Sequence, residues 1–333
     1  MEGFKLYNYK RIEKLISSRI GEQKFGEKIT FLNHIDELQG SKAKYVLFGI
    51  PEDIGVRANN GNAGTSTAWE VCLKSLLNTQ ANQFTNPENI ILLGEVNCDE
   101  INYKASNIGE EDPNYLLKLG DLVSQLDDIV SGLVEIIVNA GKIPVVIGGG
   151  HNNAFGIIKG ASKALKKVLN VINIDAHTDL RNTDFRHSGN GFSYARNENY
   201  LGKYRVFGLH KNYTPQYIFN ALNASTMDHY YLFEHLILKS SAQINTVFQE
   251  ELSMTAQEEF GLELDCDAIS KFPSSAQTPS GFSFNLVRNF IALAAREENI
   301  KYLHICEAAP SSTTKFEVGK ALSYLVTDFT NPG

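Results

Sequence analysis

Short apolar runs that do not alternate with polar residues, separated by amphipathic stretches, constrain this chain more than any other feature. The runs cover residues 45–50, 90–96, 144–148, 171–175, 204–209, 230–233, 261–267 and 302–307. Each has the length of a β-strand. A run that is apolar throughout belongs to a strand covered on both faces, as in a parallel sheet. Between the runs, residues 115–139 carry Leu116, Leu119, Leu122, Val123, Leu126, Ile129, Val130 and Leu133 at helical spacing. Residues 154–169, 284–298 and 314–327 read the same way. Strand–helix alternation of this kind predicts a three-layer α/β/α fold. Its 333 residues contain no repeat, low-complexity tract or linker that would divide them. The expectation is one domain over residues 1–333, with residues 1–43 as a helical extension packed on its outside.

Charge and cysteine usage narrow the function. Lys+Arg 31 against Asp+Glu 38 gives a net charge of −7, which argues against a nucleic-acid footprint and against a basic membrane patch. A few local arginines can still reverse the sign inside a pocket and admit a small anion. The longest apolar runs are too short to span a membrane. Cys72, Cys98, Cys266 and Cys306 form no CxxC pair and are too sparse for a disulfide scaffold. The opening MEGFKLYNYKRIEKLI has scattered charges and no apolar core. A cytoplasmic protein is expected.

Parallel sheets bind ligands beyond the carboxyl ends of their strands. The residues standing there are unusual. Val145-Val146-Ile147 runs into Gly148-Gly149-Gly150-His151-Asn152-Asn153. Val171-Ile172-Asn173-Ile174 runs into Asp175-Ala176-His177-Thr178-Asp179-Leu180-Arg181. Gly261-Leu262-Glu263-Leu264 runs into Asp265-Cys266-Asp267. Residues two apart on a strand share a side, so Asp175 pairs with His177 and Asp265 with Asp267. Four aspartates and two histidines meeting at one sheet edge repel and titrate abnormally unless cations join them. Carboxylate oxygen and imidazole nitrogen without thiolate suit Mn²⁺, and less specifically Fe²⁺, Co²⁺ or Zn²⁺. Six donors exceed what one catalytic ion with an open position uses, and two ions about 3.5–4 Å apart fit better.

Plainer readings account for single residues. Asp175 or Asn152 alone could cap a helix, and His304, His34 and His235 read as hydrogen-bonded core histidines. The triple glycine completes neither GxGxxG nor GxxxxGK[ST], so it is not read as a phosphate cradle. None of these explains the set.

At these motifs the chain resembles the ureohydrolase superfamily of arginases, agmatinases and formimidoylglutamases, over roughly residues 44–328. The family's signatures are GGxH, DAHxD and DxD in this order, and all six ligand positions are filled here. The resemblance implies two Mn²⁺ ions, one held by His151, Asp175, Asp179 and Asp265, the other by Asp175, His177, Asp265 and Asp267. It also implies a single domain with an eight-stranded parallel sheet. Glu307 resembles the family glutamate that receives the amidine or guanidine of the substrate, and Asp179 is the expected proton carrier to the leaving amine. Superfamily members commonly form homo-oligomers. Gly150, Asn152, Glu263 and Ser270-Lys271 depart from the family pattern around these ligands, where changes shift metal affinity 10–100-fold.

The rim points toward one member. Arg181 stands where arginases carry an asparagine for the α-ammonium, and residues 210–216 supply no carboxylate. The segment Arg186-His187-Ser188-Gly189-Asn190 and the loop at residues 51–64, with Arg57, resemble the formimidoylglutamase form. Arg57, Arg181, Arg186, Ser188, Asn190 and Glu307 are therefore the expected substrate-binding residues. The expected substrate is a small anionic amidine, N-formimidoyl-L-glutamate, hydrolysed to L-glutamate and formamide in histidine catabolism. Guanidinium binds its carboxylates bidentately. An arginase- or agmatinase-type guanidine hydrolase is the alternative enzyme. A metal-poor binding or regulatory protein is the alternative from another class.

Overall fold

The computed structural model describes residues 3–333. Among the described residues, nine strands build one sheet: β1 (Phe4–Leu6), β2 (Tyr45–Gly49), β3 (Ile90–Val96), β4 (Ile143–Ile147), β5 (Leu169–Ile174), β6 (Leu201–Leu209), β7 (Asp228–Leu232), β8 (Phe260–Asp265) and β9 (Ile300–Cys306). Their order is β1-β3-β2-β4-β9-β8-β5-β6-β7. All neighbours pair in parallel except β1 with β3. The eight expected strands thus form the parallel sheet, and a short antiparallel strand extends its edge.

The expected N-terminal helical extension is corrected. Residues 4–38 hold β1, a four-residue helix Tyr9–Ile12 and short 3-10 turns. The physical reason is a long-range pairing with β3. Lys5 pairs with Glu95 at 3.1 Å, and the Tyr7 hydroxyl donates to the same carboxylate at 2.6 Å. The apolar side chains that follow, Phe25, Ile29, Leu32 and Leu38, are buried singly, without helical periodicity.

Continuous apolar strands place a core on each face of the sheet. Leu47, Val145, Ile147, Ile172, Leu262, Leu264 and Ile305 pack on one side beneath helices Ala68–Leu76, Ser241–Thr255, Phe284–Ala294 and Lys315–Thr330. Val46, Phe48, Ile91, Val146 and Val171 pack on the other beneath Tyr115–Asn139, Asn153–Leu165 and Gln216–Ala224. The helix expected to run to residue 169 stops at Leu165, where Lys166 adopts a left-handed conformation and releases the chain into β5. Among the described residues, no helix is long and apolar enough to cross a membrane.

The crossovers put β4, β9, β8 and β5 side by side in the middle of the sheet. Ile147 pairs with Ile305, Ile305 with Leu264 and Leu264 with Ile174. The four strands therefore end level, and the motifs following them emerge together. Close packing supports this register. A Cβ added at Gly49, on β2, would run into the indole of Trp69, which is 2 % exposed. Gly49→Val is expected to destabilise the fold by about 1–3 kcal/mol through overpacking. A lowered urea midpoint with unchanged slope would show this; an unchanged midpoint would contradict it.

Candidate metal centre

The chain leaves β4 through Gly148 and Gly149, at φ 91° and 72°. A Cβ at Gly149 would press on the side chains of Asn153 and Glu52, so only glycine makes this turn. It delivers His151 into a fully buried position beside the ends of β5 and β8. Its Nδ1 lies 3.3 Å from Asp175 Oδ2, 2.9 Å from Asp179 Oδ2 and 3.4 Å from Asp265 Oδ2. His177 Nδ1 lies 3.6 Å from Asp175 Oδ1 and 2.9 Å from Asp267 Oδ2. Two donor groups share Asp175: His151, Asp175, Asp179 and Asp265 in one, and Asp175, His177 and Asp267 in the other; a third brings His151 together with Glu263 and Cys306. Asp175 serves both, one oxygen to each. Asp265 joins the first group only, and its Oδ1 accepts the Asp267 N–H at 2.8 Å.

Burial sets the electrostatics. It pushes Asp265 well above the usual carboxylate range, and the charges of Asp267 and Asp175 add to the shift. Burial likewise raises Asp179 and Asp267. Asp175 is held below its ordinary value: burial opposes this, but His151 and His177 outweigh it. Without cations these groups must share protons. Cations would replace those protons, since metal ligands bind deprotonated. Two buried atoms bear directly on the fit. His151 Nδ1 and Asp267 Oδ1 have no hydrogen-bond partner, which is costly for buried polar atoms unless something else binds them. The donors are carboxylate and imidazole, the set that suits Mn²⁺ and its neighbours. The residues present fit a pair of divalent cations.

The cavity above this floor has a volume of about 330 Å³. Asp179, Arg181, Ser188, Asp265, Asp267 and Glu307 line it. Arg181 Nη1 donates to Asn59 Oδ1 at 3.1 Å, and Asn59 Nδ2 donates to Ser188 Oγ at 3.1 Å. Glu307, on a left-handed backbone at φ 61°, accepts the His151 N–H at 2.6 Å and the Ser275 hydroxyl. Burial pushes its carboxyl up to about 7. Asp179 is also left-handed, at φ 48°. Such strained residues cluster where surrounding structure holds a site in place. A larger groove, of about 630 Å³, lies between helices Ala68–Leu76 and Lys315–Thr330, and its lining includes neither histidine nor aspartate.

Three expected rim residues lie elsewhere. Arg186 is 3 % exposed, its Nε and Nη2 donating to Asp127 at 2.7 and 3.0 Å. Asn190 is fully buried and accepts from Arg186 Nη1 at 2.7 Å. Arg57 donates to the Ala105 carbonyl and the Tyr115 hydroxyl, both at 3.1 Å. The cause is the helix Tyr115–Asn139, which supplies Asp127 and Tyr115 as partners across a long sequence separation. Of the three arginines, Arg181 alone lines the cavity. Nor are His34 and His235 core residues; both are exposed, while His304 is buried as expected.

Two features escaped sequence reasoning. Glu52, fully buried, accepts from Gly150 N at 3.0 Å, Asn153 Nδ2 at 2.6 Å and Asn152 Nδ2 at 3.2 Å, and so fixes the His151 turn. Its position just after β2, at the same sheet edge, was the available signal. Tyr213 stacks on His177 at 5.2 Å, with His210 and Phe233 continuing the stack. Only an aromatic three residues after His210 hinted at it.

Comparison with known proteins agrees with this geometry. The profile of the arginase family matches residues 43–327, and the chain belongs to that family. Formimidoylglutamase of Streptococcus pyogenes serotype M12 is 25 % identical over 301 residues, covering 86 % of this chain and 84 % of the relative. Formimidoylglutamase of Hahella chejuensis is 29 % identical over 196 residues, covering 55 % of this chain and 52 % of the relative. That match spans about half the relative's length. Among solved structures, formimidoylglutamase from Bacillus subtilis superposes with a TM-score of 0.76 at 15 % identity, covering 95 % of this chain and 93 % of that one. Trypanosoma cruzi formiminoglutamase with Mn²⁺ superposes with a TM-score of 0.75 at 15 % identity, covering 93 % and 98 %. These structures share the fold.

The Arg186–Asp127 pair yields a prediction. Asp127→Ala leaves a buried guanidinium without its carboxylate and is expected to cost about 3–5 kcal/mol of stability. Chemical denaturation reads it. A loss of about 1 kcal/mol or less, the scale of a surface pair, would contradict the assignment.

Proposed function

We propose that this chain is a manganese-dependent hydrolase of linear amidines that converts N-formimidoyl-L-glutamate to L-glutamate and formamide, a step of histidine breakdown. The observation that carries the reading is one cavity lined by His177, Asp179, Asp265 and Asp267, with His151 and Asp175 buried against them, and a single guanidinium at its rim. His151, Asp175, Asp179 and Asp265 would hold one cation, and Asp175, His177 and Asp267 the other. When bound, such a pair activates water near neutral pH and offsets the charge of the tetrahedral adduct.

The remaining work falls to the chain's own side chains. Glu307, whose carboxylate reaches the cavity, receives the N–H groups of the amidine. Asp179, lining both floor and cavity, carries a proton to the leaving amine. The leaving nitrogen becomes the α-amine of glutamate, so the substrate has no free ammonium to bind. The rim agrees: residues 210–216 contain no acidic side chain. Arg181, held by Asn59, pairs with one substrate carboxylate bidentately. Asn59 and Ser188 present neutral donors for the other. The names of the curated relatives and the Mn²⁺ of the Trypanosoma cruzi structure support substrate and metal.

Incubation of the Mn²⁺-loaded protein with formimidoylglutamate is expected to release formamide and glutamate in equal amounts. Arg181→Ala should raise KM about 10- to 100-fold, the worth of a charged hydrogen bond, with a smaller effect on kcat. Urea released from arginine or agmatine, without formamide from formimidoylglutamate, would overturn the substrate. Full metal occupancy with neither activity would favour a binding role instead.

A further inference from the structure

Glu263, two residues before Asp265 and one of the departures from the family pattern, has a defined place in the structure. Glu263 lies on β8, directly opposite His304 on β9. Tyr302, His304, Glu263 and His151 are all fully buried. Tyr302 Oη donates to Glu263 Oε1 at 2.7 Å, and His304 Nδ1 donates to Oε2 at 2.6 Å. His304 Nε2 faces the Gly148 carbonyl at 3.4 Å, in the turn that delivers His151. Space for this arrangement comes from Gly261, opposite Tyr302, where a Cβ would strike the tyrosine ring.

His151 stands between two acidic groups of different kind. Its Nδ1 faces Asp175, Asp179 and Asp265, and its Nε2 faces Glu263 Oε2 at 3.5 Å. Neither ring nitrogen has a hydrogen-bond partner, and Cys306 is the third member of the group that His151 forms with Glu263. A neutral imidazole carries one N–H, and the acceptor facing one nitrogen decides which lone pair is free. With the proton on Nε2 toward Glu263, Nδ1 offers its lone pair to the cation side. A carboxylate behind a ligating histidine fixes the ring and strengthens its donor nitrogen.

We propose that Glu263 is the positioning residue of His151, selecting its Nδ1 as the metal-binding atom and strengthening it, while His304 and Tyr302 hold Glu263 in register. The inference rests on the two-cation reading above. It concerns one of the two donor groups: Asp175, His177 and Asp267 have no contact with Glu263 in that role.

The test begins with the wild-type protein loaded with diamagnetic Zn²⁺. Long-range ¹H–¹⁵N spectra of its histidine rings are expected to show His151 protonated at Nε2 and ligating through Nδ1; a proton on Nδ1 overturns the proposal. Chelator competition with Mn²⁺ then compares variants. Glu263→Gln, which keeps the shape and removes the charge, is expected to weaken one ion 10–100-fold and leave the other unchanged. Tyr302→Phe, which removes one of the two hydrogen bonds that hold Glu263, is expected to weaken the same ion by a smaller factor and to leave the other unchanged. If Glu263→Gln binds both ions normally and merely melts earlier, Glu263 is only a structural partner of His304 and the proposal fails. Should Glu263→Gln not fold, the wild-type spectra decide. A wild-type protein that takes up no second ion overturns the metal-centre reading itself, a result distinct from normal binding by the variant.

Discussion

Four aspartates and two histidines brought to one sheet edge, most of them out of water, repel one another far more than hydrogen bonds among them can offset. Burial, with neighbouring carboxylates adding to it, raises Asp179, Asp265 and Asp267 above their ordinary values. A pair of dications resolves the conflict by supplying positive charge where the carboxylates converge. Much of the surrounding architecture serves this meeting. β4, β9, β8 and β5 are neighbours although the chain visits other strands between them, and their level ends let three distant motifs meet.

Around that centre the protein invests in buried polar supports. Glu52 gathers the N–H groups of the His151 turn. Arg186 ties the segment after DAHTD to Asp127 and to the Asn152 carbonyl. Glu263, with Tyr302 and His304, fills the space behind His151. Each is a charge kept from water and answered by several partners. The result is a rigid floor, while the rim is left to Arg181 and small amides.

How much of this was legible in the sequence depended on the range of the interaction. Strand ends and donor spacing are local: all eight parallel strands and the convergence of the six donors at one sheet edge followed from apolar runs and the motifs after them, while the division of those donors between two cations was implied by the family resemblance. β1 escaped because three residues with a lysine in the middle leave no pattern; its pairing with β3 is decided by Glu95. The rim was harder. Arg57, Arg181 and Arg186 look alike in sequence, and what separates them is whether Asp127 and Tyr115, far away on one helix, face them in space. Asp127, an acid within the apolar stripe beside Leu126, was the trace of that partner. Glu263 was visible as a departure, but its meaning required the cross-strand register that sets it against His304.

The most direct measurement is anomalous scattering from crystals grown with Mn²⁺ at the manganese edge. Two peaks about 3.5–4 Å apart are predicted, one against His151, Asp175, Asp179 and Asp265, the other against Asp175, His177 and Asp267. A map from metal-loaded crystals with no peak among these side chains would contradict the account at its root.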